Sequence, residues 1–431
     1  STEGCPGLAA GPGRLSGAGP ARGCSRRRRP RGILAASAQR GSRVSGEPIS
    51  IVQRGNLQSL EKILRRQWRL GQNIVLCWCW DERGLLVIFV PHYFLGNYCA
   101  PREDGRDAVA NEAYIRELIS GRRRKTRDDL FAVAARLGAA PTFIKLDNPL
   151  EETVAVVAAV EEVIRRYGVS YVGRRGVLLF DITDFSLFSP FEQASQLNSL
   201  SYSMNSAYNK LAGHGVQINF ARTTTGDGFY VWNRDRHGHA DADLFLFWLL
   251  TLTDNALARE VSRGNTVPVL RSAFHIGSHY ELYQAEGVNP TVFSYIVGDV
   301  TIELARIVDK ALPGQALVGE FSSADGQASD SEQFVRGCSE AAERLRGLPL
   351  MGDPLQRLRC WLSSERGGGA DAPLAVDITD KHGLQHHAFN LQASVRLDQR
   401  ELRLGLSAVQ LRAGRAGDGP RSVGASSSWW V

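Results

Sequence analysis

Nowhere in the 431 residues does an apolar run approach the roughly 20 residues that a membrane-spanning helix needs. The nearest candidate, Leu244 to Leu252, is too short, so no membrane span is expected and the chain reads as a soluble protein. A disulfide framework is missing as well. Seven cysteines, an odd number, are scattered over Cys5, Cys24, Cys77, Cys79, Cys99, Cys338 and Cys360, which suits a reducing cytoplasm. Cys77-Trp78-Cys79-Trp80 finds no second cysteine or histidine pair at zinc spacing and reads as a buried strand. Basic charge is absent where a nucleic-acid partner would need it. Residues 1–47 hold nine arginines against two glutamates, a net of +7; the whole chain carries +6, which leaves −1 for everything after residue 47. The basic balance belongs to a tail, and no nucleic-acid partner is expected.

What is present is the make-up of a protein of two or three domains with a sizeable core, at 43% hydrophobic and 22% charged residues. Residues 1–47 are rich in Gly, Ala, Ser, Pro and Arg, lack hydrophobic period and contain Arg26-Arg27-Arg28-Arg29; disorder is expected there. A transit peptide, an export signal and upstream sequence without function all stay open for this tail, although no adequate apolar stretch follows Arg31. Residues 48–149 read as a small α/β module of unassigned role, with helical spacing from Leu57 to Leu70. Strands Asn73–Trp80 and Gly84–Val90 would pair there around Asp81-Glu82-Arg83-Gly84. Its basic run Arg122-Arg123-Arg124-Lys125, beside Asp128 and Asp129, is expected on a solvated helix face. Residues 150–173 carry a connecting helix, Leu150 to Tyr167, with Glu151 and Glu152 in its first turn and Arg165 and Arg166 in its last. Residues 331–411 form an extension with a helix near 340–348 and a late strand at Phe389–Leu397, and residues 412–431 read as a second disordered tail.

Between 174 and 330 the order of elements is regular. A strand at Val177–Phe180 precedes a helix at Pro190–Leu211; strands Val216–Arg222 and Phe229–Trp232 join near Gly226-Asp227-Gly228. A helix at Ala240–Val261, a strand pair or one extended strand at Leu270–Tyr283, a helix at Val300–Ala311 and a strand at Ala316–Val318 follow. The class is α+β, in the order β-α-β-β-α-β with additions. In a split sheet of that kind the first strand neighbours the hairpin. Asp181, at the end of the first strand, and Asp227, between two glycines at the hairpin tip, can therefore converge. Two hard oxygen ligands at short range suit Mg2+ or Mn2+, which would take further ligands from a triphosphate. Each motif alone has a plainer meaning, a helix cap for Asp181 and a turn for Gly226-Asp227-Gly228.

Together, Phe180-Asp181-Ile182-Thr183-Asp184-Phe185-Ser186 and Thr225-Gly226-Asp227-Gly228-Phe229 resemble the two metal motifs of the class III adenylate and guanylate cyclases. Gly298-Asp299-Val300-Thr301-Ile302-Glu303-Leu304-Ala305-Arg306-Ile307, followed by Pro313-Gly314-Gln315-Ala316-Leu317-Val318, is similar to that family's helix and its proline-glycine strand. The resemblance covers about 145 residues and is to a divergent, bacterial-type cyclase homology domain. It implies a ferredoxin-like catalytic core working as a head-to-tail homodimer. Two Mg2+ or Mn2+ ions would be held by Asp181, Asp227 and the Ile182 carbonyl, and Arg306 would meet the transition state from the other chain. The implied reaction turns a nucleoside triphosphate into a 3′,5′-cyclic monophosphate and pyrophosphate, a lyase step in cytoplasmic signal transduction.

The pattern departs from the family at the substrate. Where an asparagine orients the ribose this sequence has Ile302, which can neither donate nor accept a hydrogen bond. The base-reading lysine is replaced by Thr223, and its aspartate or threonine partner by Tyr295, so adenine recognition is not implied. With Phe185 and Ser186, these are the substrate-side positions. An impaired cyclase homology domain, kept as a nucleotide-binding or dimerising module, is the alternative. The run His237, His239, Asp241, Asp243 reads as a helix start rather than a metal site, and Lys381-His382-Gly383 with His386-His387 as a turn between C-terminal strands.

Overall fold

The structure, a computed structural model, describes residues 49–101, 106–216, 218–285, 292–321, 330–364, 373–380 and 383–416. The expected tail at 1–47 lies outside these residues. So does most of 412–431, although a last helix runs to Ala416.

The first half is built from α1 (Ile51–Trp68), β1 (Asn73–Asp81), β2 (Gly84–Pro91), α2 (Phe94–Cys99), α3 (Arg106–Ser120), α4 (Arg127–Leu137), β3 (Pro141–Lys145) and α5 (Val154–Arg165). The strands form an antiparallel sheet in the order β1-β2-β3. Residues 74–79 of β1 are buried in succession because helices cover both faces: Val75 and Trp78 pack with Leu60, Leu64, Val156 and Val160, while Leu76, Cys77 and Cys79 pack with Ile115, Leu118 and Leu130. The Cys-Trp-Cys-Trp run is thus a buried strand. Thr153 caps α5, so Glu151 and Glu152 precede the helix rather than occupying its first turn.

The basic run is not a solvated helix face. Residues 121–126 lie between α3 and α4 and complete the free edge of β1, with the Trp78 N–H donating to the Arg123 carbonyl (3.0 Å) and the Lys125 N–H to the Trp78 carbonyl (2.8 Å). The Arg123 guanidinium is buried and donates to the carbonyls of Val75 and Val169 and to Ser170 Oγ (3.2 Å), and burial brings its pKa down to about 10.

The second half runs β4 (Val169–Ile182), α6 (Pro190–Gly213), β5 (Phe220–Thr224), β6 (Gly228–Asn233), α7 (Ala240–Val261), β7 (Leu270–Ala285), β8 (Val292–Val297), α8 (Asp299–Asp309), β9 (Ala316–Gly319), α9 (Asp330–Ala341), β10 (Pro349–Leu350), β11 (Asp353–Leu362), β12 (Ala375–Thr379), β13 (Gln385–Leu397), β14 (Glu401–Leu404) and α10 (Ala408–Ala416). Its mixed sheet has the order β10-β11-β13-β9-β7-β4-β6-β5, with β8 on β7 and β12 and β14 on β13. Among the described residues of this sheet, only β7 and β9 pair in parallel.

Strand alternation divides the core in two. Leu178, Phe180, Ile182, Val231 and Phe274 face α6 and α7, whereas Val177, Leu179, Trp232 and Ala273 face α8. The segment after 330 is not a separate appendage, because β11 and β13 continue the same sheet and bury Leu358, Leu391 and Val395 in the first of these cores. The helix expected at 340–348 lies earlier, as α9, and ends in a short 3-10 turn at Ala342–Leu345. His386 and His387 belong to β13 rather than to the turn before it, and Lys381-His382 lies outside the described residues. Among the described residues no helix is long and apolar enough to cross a membrane.

Candidate active site

Asp181 and Asp227 meet where β4 and β6 pair. The two strands run antiparallel with Asp181 opposite Gly228, and the next step is closed by the Ile182 N–H donating to the Asp227 carbonyl at 3.0 Å. Both glycines of the tip are required by geometry. Gly226 has φ +104°, a backbone state that L side chains rarely adopt. At Gly228 an added Cβ would lie 1.9 Å from the Phe180 carbonyl oxygen, so only hydrogen lets β6 come this close to β4. The Thr225 hydroxyl donates to Asp227 Oδ1 (3.2 Å) and steadies the second carboxylate.

A third residue joins them that the sequence did not single out. Arg271, opposite Asp181 on β7, donates its Nε–H to Asp181 Oδ2 at 2.5 Å, and its Nη1 reaches the Asp309 carbonyl of α8 at 3.5 Å. Burial lifts the Asp181 carboxyl above the ordinary carboxylate range; Arg271 opposes that rise, and the nearby negative charges of Asp227 and Asp309 add to it. Anionic oxygens thus crowd together with one guanidinium for partial relief. A hard divalent cation suits such a donor set, and it would bind in competition with Arg271 for Asp181. Among the described residues no group of three or more His, Cys, Asp or Glu side chains is arranged to hold a metal, so any ion here would depend on two carboxylates, backbone and substrate oxygens. At the start of α7, Asp241 Oδ1 accepts from the Gly176 N–H (2.7 Å) and Asp243 pairs with Arg344, so both carboxylates of the H-x-H-x-D-x-D run are engaged within the fold.

The other substrate-side positions are spread unevenly. Phe185 and Ser186 form a 3-10 turn after Asp181, with Phe185 half-buried and Ser186 exposed; the Gln193 side-chain amide donates to the Phe185 and Phe188 carbonyls (both 3.0 Å) and fixes the turn ahead of α6. Thr223 pairs with Tyr230, which pairs with Leu179, so alternation puts Thr223 on the same sheet face as Asp181. Tyr295 pairs with Leu282, one residue out of step with Glu281 and Arg271, which sets it on the opposite face. Ile302 is 54% exposed on α8. The Tyr230 hydroxyl donates to the Thr301 carbonyl (2.9 Å) and so docks α8 against β6.

Arg306 lies one helical turn beyond Ile302. Its Nε is 3.6 Å from Asp380 Oδ2, in the turn between β12 and β13. The structure therefore brings the Asp181–Ile182 and Asp227 segments together, places Thr223 on the face of Asp181 and Phe185–Ser186 next along the chain, and sets Tyr295 apart.

The chain matches no family model and no curated protein. Among solved structures it is similar to the guanylate cyclase domain of RhGC from Catenaria anguillulae in complex with GTP, at 12% identity over 53% of this chain and 98% of that one, with a TM-score of 0.34. It is also similar to the adenylyl cyclase CyaB from P. aeruginosa, at 11% identity over 54% of this chain and 98% of that one, TM-score 0.27. A monomeric guanylyl cyclase domain of the RhoGC fusion protein from Blastocladiella emersonii gives 16% identity over 35% and 82%, TM-score 0.27. At these scores the likenesses assign the chain neither a family nor an activity.

Proposed function

We propose that the chain is a metal-dependent nucleotidyl cyclase that converts a nucleoside triphosphate to its 3′,5′-cyclic monophosphate and pyrophosphate. The observation that carries this reading is the pairing of β4 with β6, which brings the Asp181 and Asp227 segments into register through the Ile182–Asp227 hydrogen bond. The strand order β7-β4-β6-β5, with α6 and α7 on one face, supports a ferredoxin-like core.

Asp181, Asp227 and the Ile182 carbonyl would hold two Mg2+ or Mn2+ ions. When bound, these ions would acidify the ribose 3′-hydroxyl and neutralise triphosphate charge. The 3′-oxygen loses its proton to solvent and bonds to the α-phosphorus, while the bond to the bridging oxygen breaks and pyrophosphate leaves with the electron pair. The turn at Phe185–Ser186 lies against the phosphates. Arg306 of a second copy, in a head-to-tail homodimer, stabilises charge on the pentavalent phosphorus. Thr223 is the base-side residue that shares the face of Asp181, and its hydroxyl can donate or accept, so the site is not committed to adenine. Five free cysteines among the described residues suit a reducing cytoplasm.

A second reading, a nucleotide-binding or dimerising module without turnover, is favoured by the exposed aliphatic Ile302 and by the hold of Arg271 on Asp181. The two are separated by incubating the purified protein with Mn2+ and each of ATP, GTP, CTP and UTP. Cyclic monophosphate and pyrophosphate formed by the wild type and abolished by Asp227→Asn support the cyclase. Retained nucleotide binding with no product from any of the four supports the module.

A further inference from the structure

The C-terminal strands reach back to the helix that carries Arg306. Val376 and Ile378 of β12 and Ala388 of β13 share a buried cluster with Val300, Leu304 and Ile307 of α8. Beside this apolar contact lie four ionisable side chains. Glu303 Oε2 is 2.7 Å from His386 Nδ1; His386 Nε2 is 3.6 Å from Asp380 Oδ2; and the same Asp380 oxygen is 3.6 Å from Arg306 Nε. The chain of contacts leaves α8 at Glu303 and returns to it three residues later, positions that share one helix face.

The burial is uneven in an informative way. The Asp380 side chain is 2% exposed and that of His386 4%, whereas Arg306 keeps 33% of its side chain in solvent. Arg306 Nε is itself wholly buried and makes no hydrogen bond, so the exposed third belongs to its other atoms. A buried carboxylate is strongly disfavoured unless hydrogen bonds and a cation answer it; Asp380 Oδ1 accepts from the Leu384 N–H at 3.0 Å, and Oδ2 is the oxygen that faces Arg306 and His386. Here Asp380 faces the Nε side of the guanidinium and does not cover the whole of its fork. A carboxylate can meet a guanidinium end-on, through both terminal nitrogens, or side-on, through Nε. One placed at Nε fixes the direction of the fork and leaves those nitrogens to an anionic ligand, and the 3.6 Å spacing can tighten once a ligand is bound.

We infer that Asp380 is a positioning residue for Arg306, itself held by the His386–Glu303 pair, so that the C-terminal extension completes the cyclase site. This role rests on the reading of Arg306 as the transition-state arginine. It gives residues 373–397 a part in catalysis that the two metal motifs do not disclose.

The test uses the full chain with Mn2+ and whichever triphosphate the wild type turns over. Asp380→Asn keeps shape and removes charge. It is expected to lower kcat about 10-fold with KM within about twofold of wild type, while Arg306→Ala lowers kcat by about 10²–10³. In the Arg306→Ala background Asp380→Asn should have no further effect, because a positioning group acts only through what it positions. Asp380→Glu should recover part of the loss. Unchanged or raised kcat in Asp380→Asn, or full additivity in the double variant, overturns the inference. Should Asp380→Asn fail to fold, Glu303→Gln serves in its place: a kcat loss of a few-fold that vanishes in the Arg306→Ala background is expected, and an unchanged kcat overturns the role. A wild type that turns over no triphosphate defeats the cyclase reading itself, whereas an active wild type whose variants fail the cycle defeats this inference alone.

Discussion

The closest backbone approach in the candidate site is at Gly228, and substituting it there tests whether that approach matters. In Gly228→Ala the new Cβ would lie 1.9 Å from the Phe180 carbonyl oxygen and 3.1 Å from the Asp181 Cα. Both neighbours are backbone, so no side chain can swing aside; β6 must move away from β4 by about 1.5 Å to reach ordinary contact. That displacement stretches the 3.0 Å bond from Ile182 N–H to the Asp227 carbonyl past hydrogen-bond range and carries the two carboxylates apart. Overpacking of this kind costs about 1–3 kcal/mol and the lost bond about 1 more. At about 2–4 °C per kcal/mol for a domain of this size, Tm should fall by roughly 5–15 °C. Gly226→Ala is the control: nothing lies within 4 Å of its Cβ, so only the φ of +104° resists, at about 1–3 kcal/mol. Calorimetry with and without Mn2+ measures both effects. The Mn2+-induced rise in Tm should disappear in Gly228→Ala and persist in Gly226→Ala. A Gly228→Ala protein with wild-type Tm and an undiminished Mn2+ response would refute the reasoning.

Other outcomes follow from the same contacts. Arg123→Ala strands the carbonyls of Val75 and Val169 and should destabilise by about 2–5 kcal/mol in urea titration, whereas Arg122→Ala on the exposed side of the same run should stay within about 0.5 kcal/mol. Because the Asp181 pKa is raised in the fold, the folded state takes up its proton at higher pH than the unfolded chain does. The stability this contributes is present in acid and lost as pH rises through the raised value. A cation needs the ionised carboxylate, so the Mn2+-induced rise in Tm should shrink as pH falls through that same window; an Mn2+ response flat with pH would count against Asp181 as a ligand. Burial pushes the thiols of Cys77 and Cys360 up to about 12 and that of Cys338 well up, so the native protein should leave all three unmodified by a thiol reagent near pH 8 and expose them on denaturation.

The legible parts of this fold were those with a local signature. α7 was bounded to the residue because Asp241 and Asp243 open it and an almost unbroken apolar run fills it. Gly226-Asp227-Gly228 marked its own hairpin, since a positive φ and a close approach both call for glycine. Less legible were elements whose signal is interrupted or shared. Gly337 breaks the period of Phe334, Val335, Cys338 and Ala342, which drew the expected helix toward 340–348 instead of α9. β8 is a six-residue strand with no counterpart among the elements expected from sequence, and β12 and β14 are too short to stand out beside β13. The basic run 122–125 looks helical and solvated in sequence because nothing local shows that the edge of β1 needs a partner. Arg271 was invisible for the same reason: it lies 90 residues from Asp181, and only the β4–β7 ladder makes them neighbours. Asp380 and Arg306 are likewise distant in sequence, and only the packing of α8 on β12 and β13 makes them neighbours.

Both divalent cations of the proposed site depend on the same two acidic side chains, and without the oxygens of a nucleotide one ion is expected there. Titration of Mn2+ into the nucleotide-free protein, followed by electron paramagnetic resonance of the free ion, measures it directly. One site present in the wild type should be lost in Asp181→Asn and also in Asp227→Asn, each folded as judged by its Tm. Undiminished Mn2+ binding in either folded variant would contradict the account.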